Sequence, residues 1–214
     1  MRKLLLLSAI LFSVQTACCQ TAQFIGLNLN QLPATSVDLN YQLDILPFVS
    51  LSAEAGITFN YRKNVDLIGY LLSRHCDCMD LYDIDRTSGG HLKTGALLNL
   101  RRSFEKENYF NLGVYLNQSL VHQEGEINGF HPDYTAIGDN TVNQTLYIIG
   151  FSGLVGYNLK LGRRLALNPA FQFSLASDRA WDLYGISDYV PGMGLNELKT
   201  RFPMLLINLK YRIR

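Results

Sequence analysis

From Val37 to Ile45 the chain alternates without a slip: Val37, Leu39, Tyr41, Leu43 and Ile45 share one parity, and Asp38, Asn40, Gln42 and Asp44 share the other. Only a β-strand, whose successive side chains point to opposite faces, turns that order into one apolar and one polar face. After Leu46-Pro47 the pattern resumes, with Val49, Leu51, Ala53, Ala55, Ile57, Phe59 and Tyr61 opposed to Ser50, Ser52, Glu54, Gly56, Thr58 and Asn60. A run of this length is about twice the usual ~5–6 residues of a globular strand. The same period governs Leu92 to Arg101, Phe110 to Asn117, Leu165 to Leu175 and Leu205 to Ile213, and a shorter stretch, Gln23 to Asn30. Leu146 to Asn158 is apolar on both parities; Tyr147, Ile149, Phe151, Val155 and Tyr157 are taken as its outer set because Gly150, Ser152 and Gly156 share the other. Eight antiparallel strands are expected.

Composition narrows the class. Charged residues make up 17% of 214, with 19 Lys+Arg against 18 Asp+Glu, which excludes a disordered tail, a charged coiled coil and a basic nucleic-acid binder. Mean hydropathy is +0.04, too low for a helical membrane protein, so any bilayer structure must be built from strands. At the N-terminus, Met1-Arg2-Lys3 precedes the apolar stretch Leu4 to Val14. That stretch falls well short of the roughly 20 residues of a spanning helix and reads as a secretory signal peptide, residues 1–19, cleaved after Ala17-Cys18-Cys19. Acylation of Cys18 or Cys19 is the competing reading; an aliphatic residue is wanted three positions earlier, and Gln15 or Thr16 stands there. Loss of Arg2 and Lys3 takes the formal charge from +1 to −1.

Linker lengths divide by side. Three of the four far-side loops, near 62–90, 121–144 and 176–200, are long and the fourth, near 31–35, is short, while those near 46–48, 102–108 and 159–164, on the side of the termini, are all short. Strands of roughly ten residues, even in number, with short turns on one side and long loops on the other, match a bacterial transmembrane barrel. A soluble barrel or sandwich would also alternate, but its polar face would be rich in Lys and Glu. Here that face is mainly Asn, Gln, Ser and Gly, which suits a crowded interior, with Gly56, Gly95, Gly113 and Ala170 relieving the crowding. Phe48, Tyr61, Tyr109, Tyr157 and Tyr211 lie near strand ends, as an interfacial aromatic belt requires.

In this pattern residues 20–214 resemble the small outer-membrane β-barrels of Gram-negative bacteria represented by the OmpA membrane domain and OmpX. The final stretch, Leu205 to Arg214, is similar to the C-terminal assembly signal of that family; it departs in ending Ile213-Arg214, where members usually finish on Phe or Trp. The resemblance implies an eight-stranded up-and-down barrel, outer-membrane lipid and the barrel-assembly machinery as partners, and periplasmic termini. No cofactor and no nucleic acid are expected.

Parity assigns Asp38, Asp44, Glu54, Lys93, Arg101, Lys210 and Arg212 to the lumen, where buried charges must pair. Depth along the strands predicts Asp44 beside Lys210 and Arg212, and Glu54 beside Arg101 or another base. Cys76 and Cys78 form a C-x-C, for which a loop disulfide is the first expectation, with a free pair or an intermolecular bond open because the ring is small. Around it stand His75, Asp77, Asp80, Asp83 and Asp85, without the second chelating motif of a zinc site or the spacing of an EF-hand. Tyr70, Tyr82, Trp181, Tyr184 and Tyr189 are loop aromatics of the kind that anchor interfaces with a surface or envelope protein. A lipid-modifying hydrolase is one alternative, with Ser119, His122 and Glu124 as the nearest nucleophile, base and acid; Ser119 and His122 have opposite strand parity. A soluble lipocalin-like carrier is the other.

Overall fold

A sheet exposes unpaired N–H and C=O groups along its two edges, and closing it on itself removes both. This chain does so with eight strands, β1 (Ala22–Asn28), β2 (Ser36–Leu46), β3 (Val49–Thr58), β4 (Tyr82–Asn99), β5 (Tyr109–Ile127), β6 (Thr141–Lys160), β7 (Leu165–Ala176) and β10 (Arg201–Arg212). A separate hairpin, β8 (Tyr189–Val190) and β9 (Gly194–Leu195), precedes the last strand. The computed structural model describes residues 22–33, 35–61, 82–101, 103–105, 107–127, 141–178, 180, 183, 189–195 and 200–213. Each wall strand pairs antiparallel with its sequence neighbour, and β1 meets β10 to close the ring, Ile25 opposite Tyr211 and Leu27 opposite Leu209. The signal-peptide segment lies outside the described residues.

The strand parity sorts the chain as the alternation predicts. Outward residues are apolar and uncovered: Val114 is 68% exposed and Phe151 67%. Inward residues are polar and covered: Asp44 and Asn117 are fully buried, and Lys93 is 1% exposed. On β6 the outward set includes Tyr147, Ile149, Phe151 and Val155, as expected for that ambiguous strand. On β5 the apolar outer stretch runs from Phe110 to Leu120; at roughly 3.3 Å per residue and a tilt of roughly 40° it stands about 25 Å tall, the height of the apolar band of a membrane barrel. One amide interrupts it, Gln118, which accepts a hydrogen bond from the Tyr147 hydroxyl at 2.8 Å.

Above that belt the strands do not stop. β4 begins at Tyr82, β5 runs to Ile127 and β6 starts at Thr141, so parts of the segments expected as loops, 62–90 and 121–144, are strand. The outer face of this extension carries Arg86, Ser88, His122, Glu124, Asn143 and Thr145, paired across β4, β5 and β6. The outer face there meets polar surroundings, so no apolar alternation marks the strand in the sequence. His122 Nε2 lies 2.9 Å from Glu124 Oε1, and this hydrogen bond holds the Glu124 carboxyl below its ordinary range.

Two of the aromatics expected in an interfacial belt are inside instead. Tyr109 is buried in the lumen because it opposes outward Phe110, and Tyr61 is covered by Tyr189. Phe48 and Tyr211 do face outward.

Placing a cation in the middle of the belt tests its environment. Val114→Arg should destabilise the barrel by about 2–4 kcal/mol in lipid bilayers, whereas an arginine at Thr145, above the belt, should cost about 0–1 kcal/mol, both read from urea unfolding in liposomes.

Candidate functional site

The lumen holds the concentrated chemistry of the described chain, and it is arranged in tiers. Nearest the short turns, Asp44 accepts hydrogen bonds at Oδ1 from Gln42 Nε2 and Ser50 Oγ, each at 2.6 Å. Its other oxygen takes the Arg101 guanidinium. Arg101 Nε also donates to the Pro47 carbonyl at 2.7 Å, and the guanidinium carbon stands 4.2 Å from the centre of the Tyr109 ring. Lys210 Nζ donates to Gln42 Oε1 at 2.8 Å, linking β10 to β2 across β1.

This corrects the expected pairing of Asp44 with Lys210 and Arg212. Asp44 sits opposite Ser50 at the last regular pair of β2 and β3, and Arg101 follows β4 where that strand ends, so a long side chain reaches Asp44 along the turn. Arg212, at the end of β10, lies at the rim, 3.6 Å from Glu107.

The middle of the barrel mixes charge with an apolar layer. Leu97, Tyr115, Leu154, Ala170, Met204 and Leu206 pack together inside the lumen. The Tyr115 ring fits because its neighbours are glycines: a Cβ on Gly95 would lie 2.7 Å from Tyr115 Cδ1, and one on Gly113 2.9 Å from Cε2. Beside this layer Lys93 Nζ stands 2.5 Å from Glu54 Oε1 and donates to Gln172 Oε1 at 3.1 Å. His91 Nε2 approaches the same Glu54 oxygen at 3.2 Å and Asp38 Oδ1 at 4.0 Å. Asp38 accepts from Asn28 Nδ2 at 3.2 Å and from Ser36 Oγ at 3.1 Å.

Asp38, Glu54 and His91 each offer a ligand atom, all within 4.8 Å of one another. The Lys93 ammonium already supplies the positive charge to the Glu54 oxygen that a metal would need, so the donor set is built around a lysine. The base that Glu54 meets is thus Lys93, the second of the two expected alternatives, while Arg101 goes to Asp44. Asp38, Asp44 and Glu54 balance Lys93, Arg101 and Lys210 among the described buried residues. The cavity left between Asn40, Glu54, Lys93, Tyr115 and Lys210 has room for about one or two water molecules.

At the end away from the short turns, the β8–β9 hairpin sits within the ring of strands. Pro191 accepts from Ser119 Oγ at 2.7 Å and Gly192 from Gln172 Nε2 at 2.9 Å, both through backbone carbonyls. Val190 and Met193 join Val121, Ile148, Ala180, Leu183 and Phe202 in an apolar cluster. Gly192 has φ +76°, and a Cβ there would lie 2.6 Å from the His91 ring, so both backbone conformation and space call for glycine. Tyr189, expected as an exposed anchor in the 176–200 loop, is 1% exposed: its ring stacks on Tyr61 at 4.0 Å and its hydroxyl donates to Gln31 at 3.0 Å. Val190, which follows it, is buried with it.

Ser119, His122 and Glu124 do not form a relay. Ser119 points inward to Pro191, whereas His122 faces out between Glu124 and Thr145, as their opposite parity dictates. His91 carries no mark in the sequence beyond sharing parity with Lys93 next to the predicted strand start at Leu92. Tyr70, Cys76, Cys78, Trp181 and Tyr184 lie outside the described residues, as does the Tyr82 side chain; the Tyr82 backbone opens β4.

No family model matches the sequence, and no curated protein matches it. Among solved structures, the crystal structure of Neisserial surface protein A (NspA) is similar at 11% identity, covering 90% of this chain and 95% of that one, with a TM-score of 0.45.

Removing one member of the buried Glu54–Lys93 pair strands the other. Glu54→Gln and Lys93→Met singly should each cost about 3–5 kcal/mol of unfolding free energy, and the double variant less than their sum, as read by urea denaturation in detergent micelles. Additive costs would show that the two side chains do not act as a pair.

Proposed function

We propose that the chain is an outer-membrane barrel of a Gram-negative bacterium, with periplasmic termini and a lumen closed by its own side chains, serving a structural or surface-interaction role. The observation that carries this reading is the inverted barrel. A soluble carrier hides apolar residues and shows polar ones; here an apolar belt about 25 Å tall faces outward while three acids and three bases are buried together. Such a surface is stable only against lipid.

The lumen content supports closure over transport. An eight-stranded wall leaves room for side chains and little else. Arg101 and Tyr109 fill one end, the Leu97–Leu206 layer the middle, and the β8–β9 hairpin the other end. An ion would have to displace all three. The short turns of the β2–β3, β4–β5 and β6–β7 connections share one end with both termini, the arrangement of barrels whose termini are periplasmic. Recognition by the assembly machinery rests on the alternating last strand, and contact with a surface or envelope partner on the polar extension of β4, β5 and β6.

The enzyme alternative loses its nearest candidate with Ser119 turned inward. A non-enzymatic role is therefore proposed, and release of acyl chains from lipopolysaccharide incubated with the purified barrel, detected by mass spectrometry, would contradict it.

Fractionation tests the membrane assignment: the protein should sediment with outer membranes, require detergent for extraction and migrate faster unheated than boiled on a gel. Recovery in the soluble fraction would restore the carrier reading. In planar bilayers the folded barrel should show no sustained conductance, and Asp44→Ala and Glu54→Ala should lower thermal stability while leaving it silent. A steady open channel in the parent protein would overturn closure.

A further inference from the structure

Over the whole lumen three buried acids match three buried bases, but the match fails locally. Lys93 pairs with Glu54 and Arg101 with Asp44, and among the described residues no carboxylate lies within ion-pair distance of Lys210. The buried Lys210 ammonium has three donors and gives one to Gln42 Oε1 at 2.8 Å. Gln42 in turn donates to Asp44, so a neutral amide stands between Lys210 and a carboxylate whose other oxygen belongs to Arg101. The third acid, Asp38, lies farther from the short turns: Lys210 is opposite Gly26, Gly26 is opposite Asn40, and Asp38 comes before Asn40 on the same face of β2. The base within reach of Asp38 is His91.

The small cavity beside the Leu97–Leu206 layer is bordered by Lys210, Lys93 and Glu54. Two ammonium groups and one carboxylate leave its wall with an excess of positive charge, and Glu54 Oε1 is already held by Lys93 and His91. Asn168, on the same wall, has a buried Nδ2 without a hydrogen-bond partner among the described residues. It stands on β7, the strand paired with the one that carries Lys210. A buried cation with unused N–H groups and a nearby amide donor without an acceptor both call for a negative guest. Water would accept the hydrogen bonds and leave the charge of Lys210 uncompensated.

Size narrows the guest. Room for about one or two water molecules admits a monatomic anion and excludes a phosphate or an organic acid. Leu97, Leu154 and Leu206 complete the wall, and an apolar lining disfavours the most strongly hydrated halide, fluoride.

We propose that this cavity binds a chloride ion, held by the Lys210 ammonium and Asn168 Nδ2, with Lys93 adding to the field from β4. The site rests on the closed lumen proposed above. Sustained conductance of the parent protein would defeat both, whereas a silent barrel indifferent to chloride would defeat this inference alone.

Urea unfolding in detergent micelles tests it, with sodium chloride compared against sodium gluconate at equal ionic strength, gluconate being too large for the cavity. At a chloride concentration about 100 times the dissociation constant, the folded-to-unfolded ratio should stand about 100-fold above that in gluconate. Bromide should act as chloride does. Lys210→Met should remove the difference between the salts, and Lys160→Met, which deletes a cation at the rim, should keep it. Equal stability in chloride and gluconate, or a chloride effect that survives in Lys210→Met, would overturn the proposal. If Lys210→Met does not fold, crystals of the parent protein grown in sodium bromide decide. An anomalous peak within hydrogen-bond distance of Lys210 Nζ is expected there, and bromide on the outer surface alone, an adventitious ion only, would overturn the site.

Discussion

Closure of eight strands gives every wall strand a paired neighbour on both sides through the belt, and it also fixes how little space remains within. A narrow interior cannot hydrate ions as bulk water does, so the inward charged groups must find partners on the wall itself. Asp44 shows what that requires: an amide, a hydroxyl and a guanidinium converge on one carboxylate from β2, β3 and the end of β4. An isolated carboxylate in this place would be expelled or neutralised; surrounded in this way it ties strand ends together. The balance of three buried acids and three buried bases follows from the same limit.

Space is shared as strictly as charge. Tyr115 can lie inside the barrel because Gly95 and Gly113 present no side chains to its ring. His91 depends on two glycines from different parts of the chain: a Cβ on Gly56 would lie 2.4 Å from its Cε1, and one on Gly192 2.6 Å from its Cγ. The imidazole thereby connects the wall to the β8–β9 hairpin, while its Nε2 reaches Glu54. Large and small residues interlock across the lumen, so a change at one glycine is felt by a charged group on another strand.

The sequence was most legible where a residue had lipid on one side and the lumen on the other. In that zone nearly all outward positions are apolar and most inward ones polar, and the period-two signal survives even in β6, where glycines and not charges mark the inner parity. It faded where that contrast ended. The upper parts of β4, β5 and β6 have polar outer faces, so Arg86 and His122 look like loop residues although they sit in the ladder. Pairing partners within the lumen were hidden for a different reason. Parity gives the face and rough depth gives the tier, but the choice of Arg101 for Asp44 depends on how a long side chain folds back along a turn. The hairpin was hidden too, since two-residue strands leave no periodic trace and only the run Tyr189, Val190, Met193 hints at burial.

Burial of that hairpin also changes what the far end of the barrel can present to a partner. Tyr189 spends its ring on Tyr61 and its hydroxyl on Gln31, so it contributes to stability and not to recognition. Val190, Met193 and Phe202 are likewise consumed in the cluster beneath the mouth. On the outer face of the strand extension at this end, Arg86, Glu124, His122 and Thr145 form one connected polar row. These side chains stand on paired strands, so their spacing is held by the ladder below them. A partner meeting them would face a preformed pattern and lose little entropy in ordering it, an advantage that a loop of the same composition lacks.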